Sequence, residues 1–151
     1  MSKCKNKSNA DPGKWAEGEV HDYLNNVNLR RHDFDYERLP DARAAMGRVA
    51  AQVADFAFYT PQHHGVIEVK ETENEFRLPV SKIRQIARIK KRYHAGGKVS
   101  IVVYQSRLDL WRLIEGYQFA NLDALPPSFD LAVYPMFASA EDALESTGWF
   151  K

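Results

Sequence analysis

The sequence predicts a mixed α/β domain with a central β-sheet flanked by helices. Two segments carry apolar residues at the three- and four-residue spacing of a helix, whereas shorter runs alternate or are almost wholly apolar, as strands are. Glycine and proline separate these segments. A chain of 151 residues with 44% hydrophobic content is large enough for a core. We therefore expect one domain in the order helix, three strands, helix, two strands and a variable end.

The first half of the chain is predicted to hold a helix and three strands. Residues 1–12 are polar and lack periodicity, so we expect a loose tail, with the domain formed by residues 13–151. The helical spacing begins at Lys14, after Asp11 and Pro12, which suit a helix start. Strands are predicted at residues 34–39, 52–60 and 65–71, the last two joined by the turn sequence PQHHG.

The second half is predicted to contain a basic helix, two strands and a variable end. The helix is expected over residues 81–94, with an apolar stripe made of Ile83, Ile86, Ala87, Ile89 and Tyr93. Strands are expected at residues 98–104 and 108–114. Residues 129–137 are predicted to form an edge segment, because Pro135 has no N–H to donate to a sheet. Ser139 is expected to cap a short final helix at residues 140–146.

The charge balance excludes a general polycation, so any nucleic-acid site must come from local clustering. The chain has 21 Lys and Arg against 20 Asp and Glu, a formal net charge of +1. Cys4 is the only cysteine, which excludes an intramolecular disulfide. The sequence shows no signal peptide, no membrane-spanning run and no glycine-rich nucleotide-binding motif. We therefore expect a cytoplasmic protein without a nucleotide cofactor.

A candidate site lies where charged residues interrupt an apolar strand. Glu68 and Lys70 occupy alternate positions of the strand GVIEVKE and project from the same face of the sheet. A hairpin centred on residues 62 and 63 would place Asp55 opposite Lys70 and diagonal to Glu68. The E-x-K pattern alone also fits an ordinary solvent-facing ion pair. Asp55 argues for a site, because its apolar neighbours make an isolated buried acid costly, and converging carboxylates suit a hard divalent cation.

The order of these residues resembles the core of the PD-(D/E)xK nuclease superfamily. Asp55 and the triplet Glu68-Val69-Lys70 match its motif, with Ala54 in place of the usual proline. Superfamily members carry a further acid on a preceding helix, and Glu17 matches it, with Glu19 as the neighbouring alternative. The resemblance implies a restriction-endonuclease-like core, an α/β fold whose central mixed sheet is flanked by helices.

A finer resemblance covers roughly residues 13–115. The stretch KETENEFRLPVSKIRQIARIKKRYHAGGKVSIVVY is similar to the Holliday-junction resolvases of Gram-positive bacteria, with Gln85 at their helix glutamine. The segment YERLP, which contains Arg38, resembles a strand of the virus-type replication-repair nucleases. The part of the chain after Trp111 departs from both patterns, and this leaves the DNA structure that is cut an open question.

These resemblances imply a Mg²⁺-dependent endodeoxyribonuclease, with Mn²⁺ as a substitute. The ligands implied for the ion are Asp55, Glu68, the Val69 backbone carbonyl and Glu17, while Lys70 would steer the attacking water. The substrate implied is branched DNA, in a bacterial cytoplasm or a phage-infected host, and a phage source fits the small size. A nuclease for flaps, nicks or duplex DNA, and a non-catalytic DNA-binding protein of the same fold, remain alternatives.

Basic residues near the site are candidates for DNA contact, since Lys and Arg displace counterions from phosphates. The candidates are Gln85, Arg84, Arg88, Lys91 and Arg92 on the second helix, Arg38, and Arg43 and Arg48 in the connection before the second strand. His63 and His64 are expected in a solvated turn. Trp111 and Phe119 are expected in the core or in a dimer interface. A homodimer is predicted, because a four-way junction offers two symmetry-related strands to cut.

Overall fold

A computed structural model describes residues 11–40, residue 46 and residues 52–151. The predicted tail therefore lies outside the described residues except for its last two positions. Asp11 and Pro12 belong to the start of the first helix, which corrects the predicted end of that tail. Arg43 and Arg48, two of the candidate DNA contacts, lie outside the described residues, as does Cys4.

The described residues form eight strands in two sheets. In chain order they are β1 (Asp35–Arg38), β2 (Phe56–Tyr59), β3 (His64–Thr72), β4 (Arg77–Pro79), β5 (Lys98–Gln105), β6 (Leu110–Glu115), β7 (Ser128–Asp130) and β8 (Met136–Phe137). The main sheet has the order β1-β2-β3-β5-β6-β8, and β4 pairs with β7 in a small second sheet. Every pair is antiparallel except β3 with β5, so the main sheet is mixed.

In the described part of the chain, three α-helices accompany the sheet: α1 (Pro12–Arg30), α2 (Ile86–His94) and α3 (Ala140–Glu145). The Asp11 side chain accepts a hydrogen bond from Gly13 N at 2.9 Å, and Pro12 supplies the preset φ angle that suits a first helical position. Ser139 caps α3 as predicted, accepting from Asp142 N at 3.0 Å. No helix in the described ranges is long and apolar enough to cross a membrane.

The alternation of side chains along the strands gives the main sheet two apolar faces. One face packs against α1 and α3 and includes Phe56, Phe58, Ile67 and Val69. The other face includes Val66, Ile101 and Val103 and packs against Ile89 of α2. The predicted fold class, a central mixed sheet flanked by helices, is confirmed.

The parallel pairing of β3 with β5 depends on one glycine. Gly65 lies opposite Lys98, and a Cβ atom on Gly65 would overlap the Lys98 backbone carbonyl. The two strands can therefore approach at this point only because position 65 has no side chain.

The second half of the chain departs from the sequence prediction in three places. The basic helix begins at Ile86 rather than at residue 81, because residues 80–82 form a 3₁₀ turn, and Ala87 is exposed rather than on the buried stripe. Residues 129–137 divide between β7 and the edge strand β8 instead of forming one segment. The short strand β4 was missed, because a three-residue strand is too short for a clear alternation.

Candidate active site

The hairpin of β2 and β3 determines which charged residues meet. The turn is closed by Thr60 N–H, which donates to the His63 carbonyl at 2.7 Å. The resulting register pairs Phe56 with Ile67, so Asp55 is opposite Glu68 at the point where β2 begins. The prediction that Asp55 lies opposite Lys70 is therefore wrong by two residues. Because a shift of two positions keeps each side chain on its face, the two carboxylates still meet.

Asp55 is held by the backbones of two neighbouring strands. Its Oδ2 accepts a hydrogen bond from Val69 N at 2.7 Å, and its carbonyl accepts from Leu39 N at 2.8 Å. Burial and the nearby Glu68 carboxylate raise the pKa of Asp55 to about 8, with a further contribution from a hydrogen bond with Glu17, while the Val69 N–H opposes the shift. Asp55 is thus a positioned, buried acid whose negative charge the surrounding protein does not neutralise.

Glu68 and Lys70 form an ion pair on the same face of β3. Glu68 is 8% exposed, and its Oε1 lies 3.0 Å from the Lys70 Nζ. Burial raises the pKa of Glu68, and the Lys70 ammonium acts in the opposite direction. The sequence prediction that these two side chains project together is confirmed by this contact.

The helix α1 brings Glu17 to Asp55. The Glu17 carboxylate raises the pKa of Asp55 both through its charge and through a hydrogen bond. Glu19, the alternative acid, instead acts on Tyr104, whose pKa its charge helps to raise. The geometry therefore brings Glu17, and not Glu19, into the carboxylate cluster.

Arg38, a predicted DNA contact, lies at the same cluster. It is the last residue of β1, and its Nη2 donates to the Glu17 Oε2 at 2.7 Å. This pair is not predictable from the sequence, because the two residues are 21 positions apart and no periodic pattern links a helix to a strand. The cluster thus combines the three acids Glu17, Asp55 and Glu68 with the two cations Lys70 and Arg38.

Carboxylate oxygens, which this cluster offers, are the ligands that a hard divalent cation prefers. Within the described ranges, however, no three His, Cys, Asp or Glu side chains are close enough together to hold an ion by themselves. A further oxygen is available in the backbone. The N–H and C=O of one strand residue point to the same neighbour, so the Val69 carbonyl faces Asp55 as its N–H does. Asp55, Glu68 and the Val69 carbonyl therefore lie near one another at the start of β2, with Glu17 next to Asp55.

The basic residues of the second helix are only partly brought together. Since β3 and β5 are parallel, α2 runs back from the Lys70 end of β3, and its first residues lie toward that end. Arg84 is exposed but precedes α2, which corrects its predicted place on the helix, and Gln85 is the half-buried residue at the N-cap. Arg88 and Lys91 are exposed on α2, and Arg92 is half-buried.

A second contact beside Lys70 was also missed. Glu71 accepts a hydrogen bond from Ser106 Oγ at 2.6 Å, which connects the strand that bears Glu68 and Lys70 to the turn after β5. The available signal was Ser106, a polar residue at the turn that directly follows β5. This bond fixes the orientation of β3 next to the site.

The remaining candidates lie away from the cluster. Trp111 and Phe119 are 2% and 1% exposed, which confirms their prediction as core residues. His63 lies in the turn between β2 and β3, as predicted, whereas His64 is the first residue of β3 and pairs with Tyr59. Both histidines are at the opposite end of the hairpin from Asp55.

The fold has a counterpart among solved structures. The chain is similar to Hjc of Archaeoglobus fulgidus, a Holliday junction resolvase from an archaeal hyperthermophile, with a TM-score of 0.53 and 18% sequence identity. The similarity covers 88% of this chain and 96% of that chain. No family model and no curated protein matches the sequence. The likeness therefore concerns the fold, and the finer resemblance to resolvases of the Gram-positive type and to virus-type nucleases stays a prediction.

Proposed function

We propose that this protein is a divalent-cation-dependent endonuclease that hydrolyses phosphodiester bonds in branched DNA, with four-way junctions as its substrate class. The observation that carries the proposal is the meeting of Asp55, Glu68 and Lys70 at the start of β2 and the middle of β3. The overall similarity to a Holliday junction resolvase supports it, because nearly the whole of that chain is covered. The pattern Asp55, Glu68-Val69-Lys70, which resembles the PD-(D/E)xK motif, supports the same proposal.

The charge of the free site supports a role for a cation. If Glu17, Asp55 and Glu68 were all ionised, their charges would exceed those of Lys70 and Arg38 by one. The raised pKa of Asp55 shows how the free protein relieves this excess, since the carboxyl retains its proton near neutral pH. A Mg²⁺ or Mn²⁺ ion would replace that proton and give the site one net positive charge, which a single DNA phosphate would balance.

The chain's own residues would divide the work of hydrolysis. Asp55, Glu68 and the Val69 carbonyl would hold the ion, which when bound would polarise the phosphate and favour deprotonation of water. Glu17 would complete the cluster from the helix side. Lys70 would orient the attacking water or stabilise the charge that develops on the phosphate, since its ammonium lies at the edge of the carboxylate pair.

Cleavage of a four-way junction would require two such sites. One domain with one site reaches one strand, whereas a C₂ homodimer presents two sites in matching orientation. Exposed apolar side chains on β8 and in the turn before it, Met136 at 57% and Val133 at 70% exposure, provide a surface for a second copy.

Cleavage assays with an immobile four-way junction, a flap, a nicked duplex and a linear duplex would test the proposal. We expect Mg²⁺-dependent cutting of the junction in preference to the duplex, and no cutting by Glu68→Gln, which keeps the size of the side chain but removes its charge. Asp35→Asn, a change to an exposed carboxyl on β1, is the matched control and should cut normally. Preferential cutting of the flap or the duplex would identify that DNA, rather than the junction, as the substrate. No cutting of any DNA would contradict the nuclease function.

A further inference from the structure

The ion pair of Arg38 and Glu17 joins a candidate DNA contact to a candidate cation ligand. We propose that Arg38 is an exchangeable partner of Glu17: it holds the Glu17 carboxylate in the free protein and passes to a DNA phosphate when substrate binds. The exchange frees Glu17 for the cation, so that DNA and cation each strengthen the binding of the other. This inference rests on the proposed nuclease function and adds a positioning role for Arg38.

The exposure of the two side chains permits such an exchange. The Arg38 side chain is 54% exposed, whereas that of Glu17 is 26% exposed, so the guanidinium already reaches the solvent from which DNA arrives. A half-exposed ion pair contributes little net stability, and its loss is readily offset by a new partner. Phosphate offers the guanidinium the same two-oxygen geometry as a carboxylate, with which arginine forms paired hydrogen bonds.

The backbone around Arg38 is fixed, so the exchange requires only side-chain rotation. Arg38 pairs with Phe56 in the sheet, and the next N–H, that of Leu39, donates to the Asp55 carbonyl at 2.8 Å. The strand that carries Arg38 is therefore attached directly to the residue that carries the central carboxylate. A phosphate bound by Arg38 would be delivered beside the cation ligands without any movement of β1.

The position of Glu17 does not depend on Arg38 alone. One helical turn later, His21 stacks on Phe56 at a ring distance of 6.2 Å and its Nδ1 lies 3.4 Å from the Tyr36 hydroxyl. These contacts attach α1 to β1 and β2 independently of the ion pair. After Arg38 leaves, Glu17 would therefore stay at the cluster, with its carboxylate available to the cation.

Calorimetric titration with Ca²⁺ measures this coupling without turnover, because Ca²⁺ binds oxygen ligands and supports little hydrolysis in the proposed site. Without DNA, we expect Arg38→Ala to bind Ca²⁺ roughly two- to fivefold more tightly than the wild type, the range for release of a half-exposed ion pair. Arg38→Lys should stay close to the wild type, since it keeps the charge. Arg31→Ala, which removes the arginine of an ion pair at the other end of α1, is the control and should leave the affinity unchanged.

A double-mutant cycle distinguishes exchange through Glu17 from a general effect of charge. In the Glu17→Gln background, Arg38→Ala should no longer tighten Ca²⁺ binding. With a short four-way junction present, the wild type should gain more Ca²⁺ affinity than Arg38→Ala gains. Equal tightening with and without Glu17, or no tightening at all, would overturn the exchange while leaving the nuclease proposal intact.

Failure of the proposed function would have a different signature. If the wild type and every variant bound neither Ca²⁺ nor the junction, the nuclease proposal would be wrong and the exchange with it. Thermal melts of Arg38→Ala and Arg38→Lys, compared with the wild type, establish that both variants are folded. If Arg38→Ala were unfolded, Arg38→Gln would take its place in the cycle, with the same expected tightening.

Discussion

Replacing Asp55 with Asn should stabilise the cation-free protein at neutral pH. The ordinary pKa of an aspartate is 3.8, and burial beside Glu68 raises that of Asp55 to about 8. Between these two values the unfolded chain ionises while the folded carboxyl stays protonated, so the wild type loses stability as the pH rises. Asn resembles the protonated acid: its amide oxygen can still accept from Val69 N, and it has no proton to lose.

The size of the stabilisation follows from the difference between the ordinary and the raised pKa of Asp55. One pKa unit corresponds to about 1.4 kcal/mol, so roughly three units at pH 7 amount to about 4 kcal/mol. For a chain of this length, a difference of that size raises the melting temperature by roughly 8 to 16 °C. The gain should be greatest near pH 8 and disappear near pH 4, where Asp55 is protonated in both the folded and the unfolded state.

Thermal melts in chelator from pH 4 to pH 8 would measure this difference. The control is Asp35→Asn, a substitution of an exposed carboxyl on β1, which should show no gain that grows with pH. Addition of Mg²⁺ should stabilise the wild type more than Asp55→Asn, since the variant lacks one charged ligand. An Asp55→Asn variant no more stable than the wild type at pH 7 would refute the buried, unneutralised carboxyl.

Other properties of the protein can be tested with equal directness. Ca²⁺ should support junction binding with little cutting, which a gel-shift and cleavage comparison with Mg²⁺ measures, and efficient cutting in Ca²⁺ would contradict the proposed ion site. Changing Arg84, Arg88 and Arg92 together to Ala should weaken binding to all DNA about equally and reduce its salt dependence, and an unchanged salt slope would exclude α2 from the DNA interface. Light scattering without DNA should give twice the 17.3 kDa of one chain, whereas a mass of one chain at micromolar concentration would favour a single-site nuclease. Gly65→Ala should lower the melting temperature by several degrees, because the new methyl group meets the Lys98 carbonyl, and an unchanged melt would show that β3 and β5 can separate locally.

The local patterns predicted the elements better than their pairing. The apolar spacing gave α1 its buried face, and the alternation of β3 predicted that Glu68 and Lys70 share a face. The register of the hairpin could not be predicted, because the sequence PQHHG is compatible with several turns. The observed turn is the one closed by the hydrogen bond from Thr60 N–H to the His63 carbonyl. The second helix was predicted too long, since its basic sequence has helical spacing even where the backbone forms a 3₁₀ turn.

The charged contacts of the site were likewise only partly predictable from the sequence. That Asp55 and Glu68 approach each other followed from motif and strand order, because adjacent strands must place like-faced residues side by side. The pairing of Arg38 with Glu17 depends on how α1 crosses the sheet, and this angle is set by packing of residues from distant parts of the chain. Sequence therefore predicted the acids and Lys70, and left the pairing of Arg38 with Glu17 to the tertiary structure.

The packing of Phe150 has a consequence for the order of folding. Its ring is fully buried. The centroid of this ring lies 5.0 Å from that of Phe58, 5.9 Å from that of Phe34 and 5.9 Å from that of Tyr23 on α1. Contacts between residues so distant in sequence form slowly, because a long loop must close before they are made. The packing of Tyr23, and with it the C-terminal half of α1, is therefore expected to be completed late in folding. In a nascent chain the β2–β3 hairpin, whose contacts are local, would therefore form before α1 packs against Phe150.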